Sequence, residues 1–243
     1  MTDEEALARK IINDLESLSY VEFDENDSFS SGTHDEVAIL NWNTQCKSFG
    51  DLLARHAQAY MQGAKVLCTL CLPNIKNADV QIFPILILFT QGYELYLKAI
   101  RWALNEINGK ESKNIKDKNH DLLKINKEIE NLFTDLPDDF KPLSEKTDKV
   151  QKIFEDIAKC CHTELGALSS FSRYPMDSKN HLFEALIEPN EEDVKEEEDI
   201  NVAFNMFKLV KAIPNVFVNL SKVYSELDLY LESIREKNRQ QEY

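Results

Sequence analysis

Glycine and proline are scarce, with only 6 Gly and 7 Pro among 243 residues. All-β sandwiches and glycine-rich nucleotide folds need many turn residues, so this shortage favours helices. Long apolar runs are missing too. The longest, 82–89, contains Pro84 and is far shorter than the ~18–20 residues that cross a bilayer. The amino terminus, Met1-Thr2-Asp3-Glu4-Glu5, carries acid where a secretory signal carries base. These absences predict a cytoplasmic protein with no membrane segment. Basic residues are in deficit, with 28 Lys+Arg against 43 Asp+Glu and a net charge of −15. A surface of that sign is poorly suited to coating duplex DNA or an anionic membrane.

Catalytic signatures of high specificity are absent. The chain has no phosphate-binding G-x-x-x-x-G-K-[ST], no G-x-G-x-x-G, no H-E-x-x-H and no G-x-S-x-G, which argues against most nucleotide, metal and triad chemistries. None of His34, His56, His120, His162 and His181 has Glu three residues before it, so the ligand set of a di-iron bundle is missing. The five cysteines, Cys46, Cys68, Cys71, Cys160 and Cys161, are an odd number and read as reduced thiols. Cys68, Cys71, Cys160 and His162 form a nominal zinc set. However, the first pair follows helical periodicity and Cys160-Cys161 are adjacent, so small buried hydrophobes are the better reading. No metal or other cofactor is expected.

Hydrophobic residues make up 43% of the chain, enough for a core in one domain spanning 1–243. Thr2 and Glu5 have capping-box spacing before an apolar stripe of Leu7, Ile11, Ile12, Leu15 and Leu18, which predicts a helix over 2–18. A polar stretch over 19–46 reads as a long loop. Further helices are expected over 49–72, with Leu52, Leu53, His56, Tyr60, Ala64, Leu67 and Cys71 inward and Pro73 ending it, and over 80–107. The early turns of the latter are apolar nearly all round, which predicts that they lie mid-core, with amphipathic character from Tyr93 onward. Asn108-Gly109 should stop it. Leu122, Ile125, Ile129, Leu132 and Phe133 predict a helix over 121–136, and Val150, Ile153, Phe154 and Ile157 another over 143–163. The stretch 169–187 looks irregular. Residues 191–199 hold seven acids and one Lys, a solvated connector. A final helix over 200–236 contains Pro214, expected to kink or break it, and residues 237–243 should fray. The fold expected is an all-α, antiparallel bundle of about five to six helices with long loops, its core about 49–187 and its first and last helices as additions.

Three polar features remain. Glu94 and Lys98 stand four apart in the favourable order for a helical ion pair, just after the apolar run, so Glu94 is expected to be partly buried with a fixed partner. Lys110, Lys113, Lys116 and Lys118 precede His120-Asp121. Asp121 is placed to cap a helix, while His120 and the lysines could hold a phosphate or an RNA backbone. Arg173 and His181 flank a Pro-containing segment. Arg suits phosphate and His moves protons near neutral pH, so the pair could bind a scissile phosphate and deprotonate a ribose 2′-hydroxyl without metal.

On these residues the sequence resembles the HEPN superfamily. The likeness rests on Gly92-Tyr93-Glu94-Leu95-Tyr96-Leu97-Lys98 in a long apolar helix, the Lys-rich loop, His120-Asp121-Leu122-Leu123 and Phe171-Ser172-Arg173-Tyr174-Pro175, roughly the central 100 residues. It implies an antiparallel bundle of four or five helices that forms a homodimer. It also implies binding of RNA or nucleotide through Glu94, Lys98, His120, Lys116 and Lys118, with Arg173 and His181 as the catalytic pair of a metal-independent ribonuclease of defence or toxin–antitoxin systems. Catalytic members place four to six residues between Arg and His, whereas seven separate Arg173 from His181 here. That departure favours a member without nuclease function, with Arg173 anchored onto Glu94. The other expectation is a non-catalytic helical interaction or regulatory module, bound to a protein partner, whose polar cluster is structural.

Overall fold

Residues 46–74, 76, 78–110, 120–173 and 204–241, together with Ala6, Arg9 and Lys10, are described by a computed structural model. They form α1 (Phe49–Cys71), α2 (Ala78–Ile107), α3 (Leu122–Thr134), α4 (Lys141–Cys160), α5 (Leu165–Arg173) and α6 (Met206–Gln241). No strand occurs among the described residues, and the fold is an all-α bundle. Of the helix expected over 2–18, only Ala6, Arg9 and Lys10 are described, and all three are helical.

The helix boundaries follow local chemistry. Ser48 caps α1 by accepting from the Asp51 amide at 3.1 Å. After α2, Gly109 takes φ +64°, its amide donates to the Glu106 carbonyl at 3.1 Å, and the Lys110 amide donates to Asn105 at 2.9 Å. This is the six-to-one and five-to-two pattern of a glycine-terminated helix. Asp121 caps α3, accepting from the Lys124 amide at 3.0 Å. Asp138–Phe140 form a 3₁₀ turn, and Pro142 sits in the first turn of α4, where its missing N–H costs nothing.

Helix α2 is the axis of the bundle. Helices α1, α6, α3 and α5 pack along it, while α4 packs on α6 and reaches α2 through Phe154. Gly92 of α2 faces Met61 and Ala57 of α1, and Leu88 faces Gly63, so α1 and α2 run antiparallel. Close approach explains why α1 buries the small residues Gly50, Ala54, Ala57, Ala64 and Cys68. The predicted inward face of α1 is therefore rotated: Leu52, Leu53, Tyr60 and Leu67 sit at its flank and His56 is exposed.

The core lies later along α2 than its apolar run indicates. Val80 is 74% exposed and Pro84 is exposed, whereas burial is nearly continuous from Ile85 to Leu104. Tyr93 stacks on Phe154 with ring centroids 3.8 Å apart, and Phe89 meets the same ring at 4.7 Å. By length and composition α2 could cross a bilayer, and half of its most apolar window is buried between other helices.

Two expectations near the carboxyl end are corrected. The segment from 169 is not irregular at its start, because α5 runs through it to Arg173. The final helix begins at Met206, where Asn205 Oδ1 accepts from the Lys208 amide at 3.0 Å. It continues through Pro214 to Gln241, unbroken at the position expected to kink or break it, and runs into the tail expected to fray. Ile213 and Val216, on either side of Pro214, are buried, and that packing offsets the lost backbone bond.

Candidate functional site

Among the described residues Glu94 is the most deeply buried charge. It is 1% exposed and lies mid-way along α2, on the side facing the start of α3 and the end of α5. A buried carboxylate must fill its acceptor positions, and Glu94 fills them from its own helix, from α5 and from the residue that precedes the α3 cap. Lys98 Nζ, one turn on, donates to Oε1 at 2.7 Å. His120 Nδ1 meets the same oxygen at 2.8 Å. Ser169 Oγ and an Arg173 guanidinium nitrogen, both from α5, donate to Oε2 at 3.3 Å each. Arg173 also donates to Gln91 Oε1.

Local structure brings these groups in. Asp121, as the α3 cap, sets His120 immediately before that helix. Gly166 of α5 has no side chain because a Cβ there would come within 2.9 Å of Asp121 Oδ1, so glycine lets α5 close on the α3 cap. Ser172 bonds Thr90 of α2 at 3.0 Å, fastening the two helices one turn from Glu94. Tyr93 donates to Asn126 Oδ1 at 3.0 Å, which ties α3 to α2 next to Glu94 in sequence.

Burial alone pushes the Glu94 carboxyl up. The hydrogen bonds and positive charge of Lys98, with those of His120, outweigh this and hold it below its ordinary value. The carboxylate is therefore ionised at neutral pH. Lys98 and Arg173 set two positive charges beside the Glu94 carboxylate, with the Asp121 carboxylate of the α3 cap next to His120. The side chains open progressively to solvent, from Lys98 at 13% through Arg173 at 27% to His120 at 49%. Such an edge can hold an anion.

Of the residues expected from the sequence, Glu94, Lys98, His120 and Arg173 meet here. Lys116, Lys118 and His181 lie outside the described residues. Lys110 pairs with Asp135 at 3.1 Å on the surface. Cys68 and Cys71 are buried and Cys160 is exposed. Among the described residues no three His, Cys, Asp or Glu side chains gather as a metal site would require. Sequence reasoning missed Gln91 and Ser169. The spacing of Leu165, Leu168 and Phe171, all buried, was the available signal for α5 and hence for Ser169. No family model matches this chain, and no curated protein or solved structure matches it either.

Proposed function

We propose that this chain is a HEPN-like helical protein that binds RNA or a nucleotide through a phosphate group at the Glu94 cluster. The observation carrying this reading is the convergence of Lys98, His120 and Arg173 on one buried carboxylate, with the side chains of Arg173 and His120 partly open to solvent. Arg173 presents a planar fork suited to phosphate, and Lys116 and Lys118, a few residues before His120 in sequence, add positive charge. A homodimer in the cytoplasm would set two such clusters against one ligand. The resemblance also implies cleavage by Arg173 and His181, but their spacing departs from the motif, so the reading rests on binding.

A second reading has its own support. Both oxygens of Glu94 are occupied and Arg173 is already engaged by Gln91 and Glu94, as expected of a non-catalytic interaction module with a structural polar network. Fluorescence anisotropy with labelled single-stranded RNA over a salt series separates the two. Phosphate binding requires log affinity to fall with log salt, by about 0.7 per phosphate contacted, and Arg173→Gln to weaken it while the helical circular dichroism is retained. Absence of binding, or binding indifferent to salt, refutes the phosphate reading.

A further inference from the structure

Helices α4 and α6 run antiparallel. Phe140, just before α4, meets Tyr230 late in α6 with ring centroids 4.8 Å apart, whereas the last turns of α4 face the first turns of α6. These facing ends flank a cavity of about 380 Å³. Its walls are Ile153 and Ile157 of α4, Leu209 and Ala212 of α6, and Phe204 before that helix. Ile157 and Leu209 are buried, and Ile153 and Phe204 pack against the same core, so the inner surface is hydrocarbon. Concave, mostly apolar spaces of about 300–1,000 Å³ between the helices of a bundle are where small molecules bind. This one shares no residue with the Glu94 cluster.

The mouth is formed by Asp156, Cys160, Asn205 and Lys208, all exposed, and its charge has a definite sign. Asp156 pairs with Lys159 at 3.5 Å on the surface, and that pair is neutral. The Lys208 amide donates to Asn205 Oδ1 at 3.0 Å, while among the described residues no carboxylate holds the Lys208 ammonium. Helix α6 has no acid in its first turn, so the positive end of its dipole adds to Lys208. The exposed Lys211, one turn on, has the same sign. An apolar slot that ends in positive charge suits a molecule with an alkyl chain and one anionic head. A methylene is close in bulk to a water molecule, about 30 Å³, so about a dozen chain atoms fill the space.

We infer that this cavity binds a single-chain anionic amphiphile, a straight-chain carboxylate of about ten to twelve carbons. The chain lies between α4 and α6 and the carboxylate rests on Lys208. Removal of the chain from water drives binding, and Lys208 fixes the direction of entry and selects the sign of the head. A lipid with two long chains exceeds the volume. Cys160 stands at the mouth, so a bound chain covers its thiol.

The test titrates the full chain with decanoate by calorimetry, with octanoate and decyltrimethylammonium as comparisons. Decanoate should saturate one site. Octanoate, two methylenes shorter, should bind about tenfold more weakly, and the cationic probe about tenfold more weakly or worse. Lys208→Gln should weaken decanoate about tenfold, Lys208→Arg should retain it, and Ala212→Leu, which fills the cavity, should abolish it, each with helical circular dichroism retained. In the wild type, decanoate should slow thiol labelling of Cys160 with the same midpoint. Cys46, beside the Lys47–Glu232 pair near the other end of α6, should label at an unchanged rate. No saturable binding of decanoate, equal binding of the cationic probe, or Cys160 labelling unchanged at saturating decanoate overturns the inference. Cys160 labelling that slows with protein concentration alone overturns it in favour of a second copy of the chain on this face. Labelling as slow as that of buried Cys68 without decanoate overturns it in favour of another segment of the chain.

Discussion

Replacing Glu94 with glutamine removes one negative charge and leaves the volume nearly unchanged, so it isolates the electrostatics of the cluster. Lys98 loses its counter-charge at 13% exposure and Arg173 at 27%. Breaking a buried ion pair by removing one partner costs about 3–5 kcal/mol. The lower end applies here, because the amide oxygen still accepts one hydrogen bond and Arg173 keeps Gln91. His120 is half exposed and its share is screened by water. At a urea slope of about 2 kcal/mol per M, a loss of about 3 kcal/mol lowers the unfolding midpoint by about 1.5 M. The pH dependence has a definite sign. Burial raises the Glu94 carboxyl, but Lys98 and His120 bring it below its ordinary 4.5. Its contribution is therefore complete above that value and disappears as pH falls through the lowered folded value. Urea unfolding of both proteins from pH 7 to pH 3 should show the gap between them closing below about pH 4.5. A gap under about 0.5 kcal/mol at pH 7, the size of an ordinary surface substitution, refutes the reasoning. So does a gap that stays constant down to pH 3.

Glycines at the α1–α2 contact should respond in opposite ways to alanine. Gly92→Ala drives a Cβ to 2.9 Å from Met61 Cγ and 3.1 Å from the Ala57 carbonyl oxygen, and overpacking of about 1–3 kcal/mol should exceed the gain in helix propensity. Gly63→Ala meets Leu88 at an ordinary 3.4 Å and should stabilise by about 0.4–1 kcal/mol; thermal unfolding of the two variants checks both signs. Phe154→Ala removes a fully buried ring stacked on Tyr93 and touching Phe89, at an expected cost of about 3–5 kcal/mol in urea unfolding. Burial pushes the Cys68 and Cys161 thiols up to about 12, so native protein at pH 8 should label at Cys160 with a thiol reagent and not at these two. Mass spectrometry of the labelled peptides reads this directly.

Much of the fold was legible because it depends on neighbours in sequence. The helix stop at Asn108-Gly109, the cap at Asp121, and the inward faces of α3 and α4 all follow from local backbone chemistry and a 3.6-residue period. The Glu94–Lys98 pair was legible for the same reason, since residues four apart on a helix are adjacent. Other features needed the packed chain. The apolar run at the start of α2 marks composition, whereas burial depends on which turns other helices cover, and it becomes nearly continuous only from Ile85. The face of α1 was misread because close helix approach selects small residues over large ones, as Gly50, Ala54 and Ala57 show. Pro214 disfavours a helix on its own, yet α6 continues through it because buried residues on either side hold it in place.

The candidate site divides along the same line. Residue types alone pointed to Glu94, Lys98, His120 and Arg173 as groups that need partners or can hold phosphate. That they meet was decided by tertiary structure, because His120 is 26 residues and Arg173 is 79 residues from Glu94 in sequence. No local period relates such positions. Their convergence follows from α3 and α5 docking on the same side of α2, with Gly166 admitting the α3 cap and Ser169 completing the carboxylate's bonds. A single chain shows which side chains are costly to bury without a partner. Only the packed bundle determines which partner each one finds.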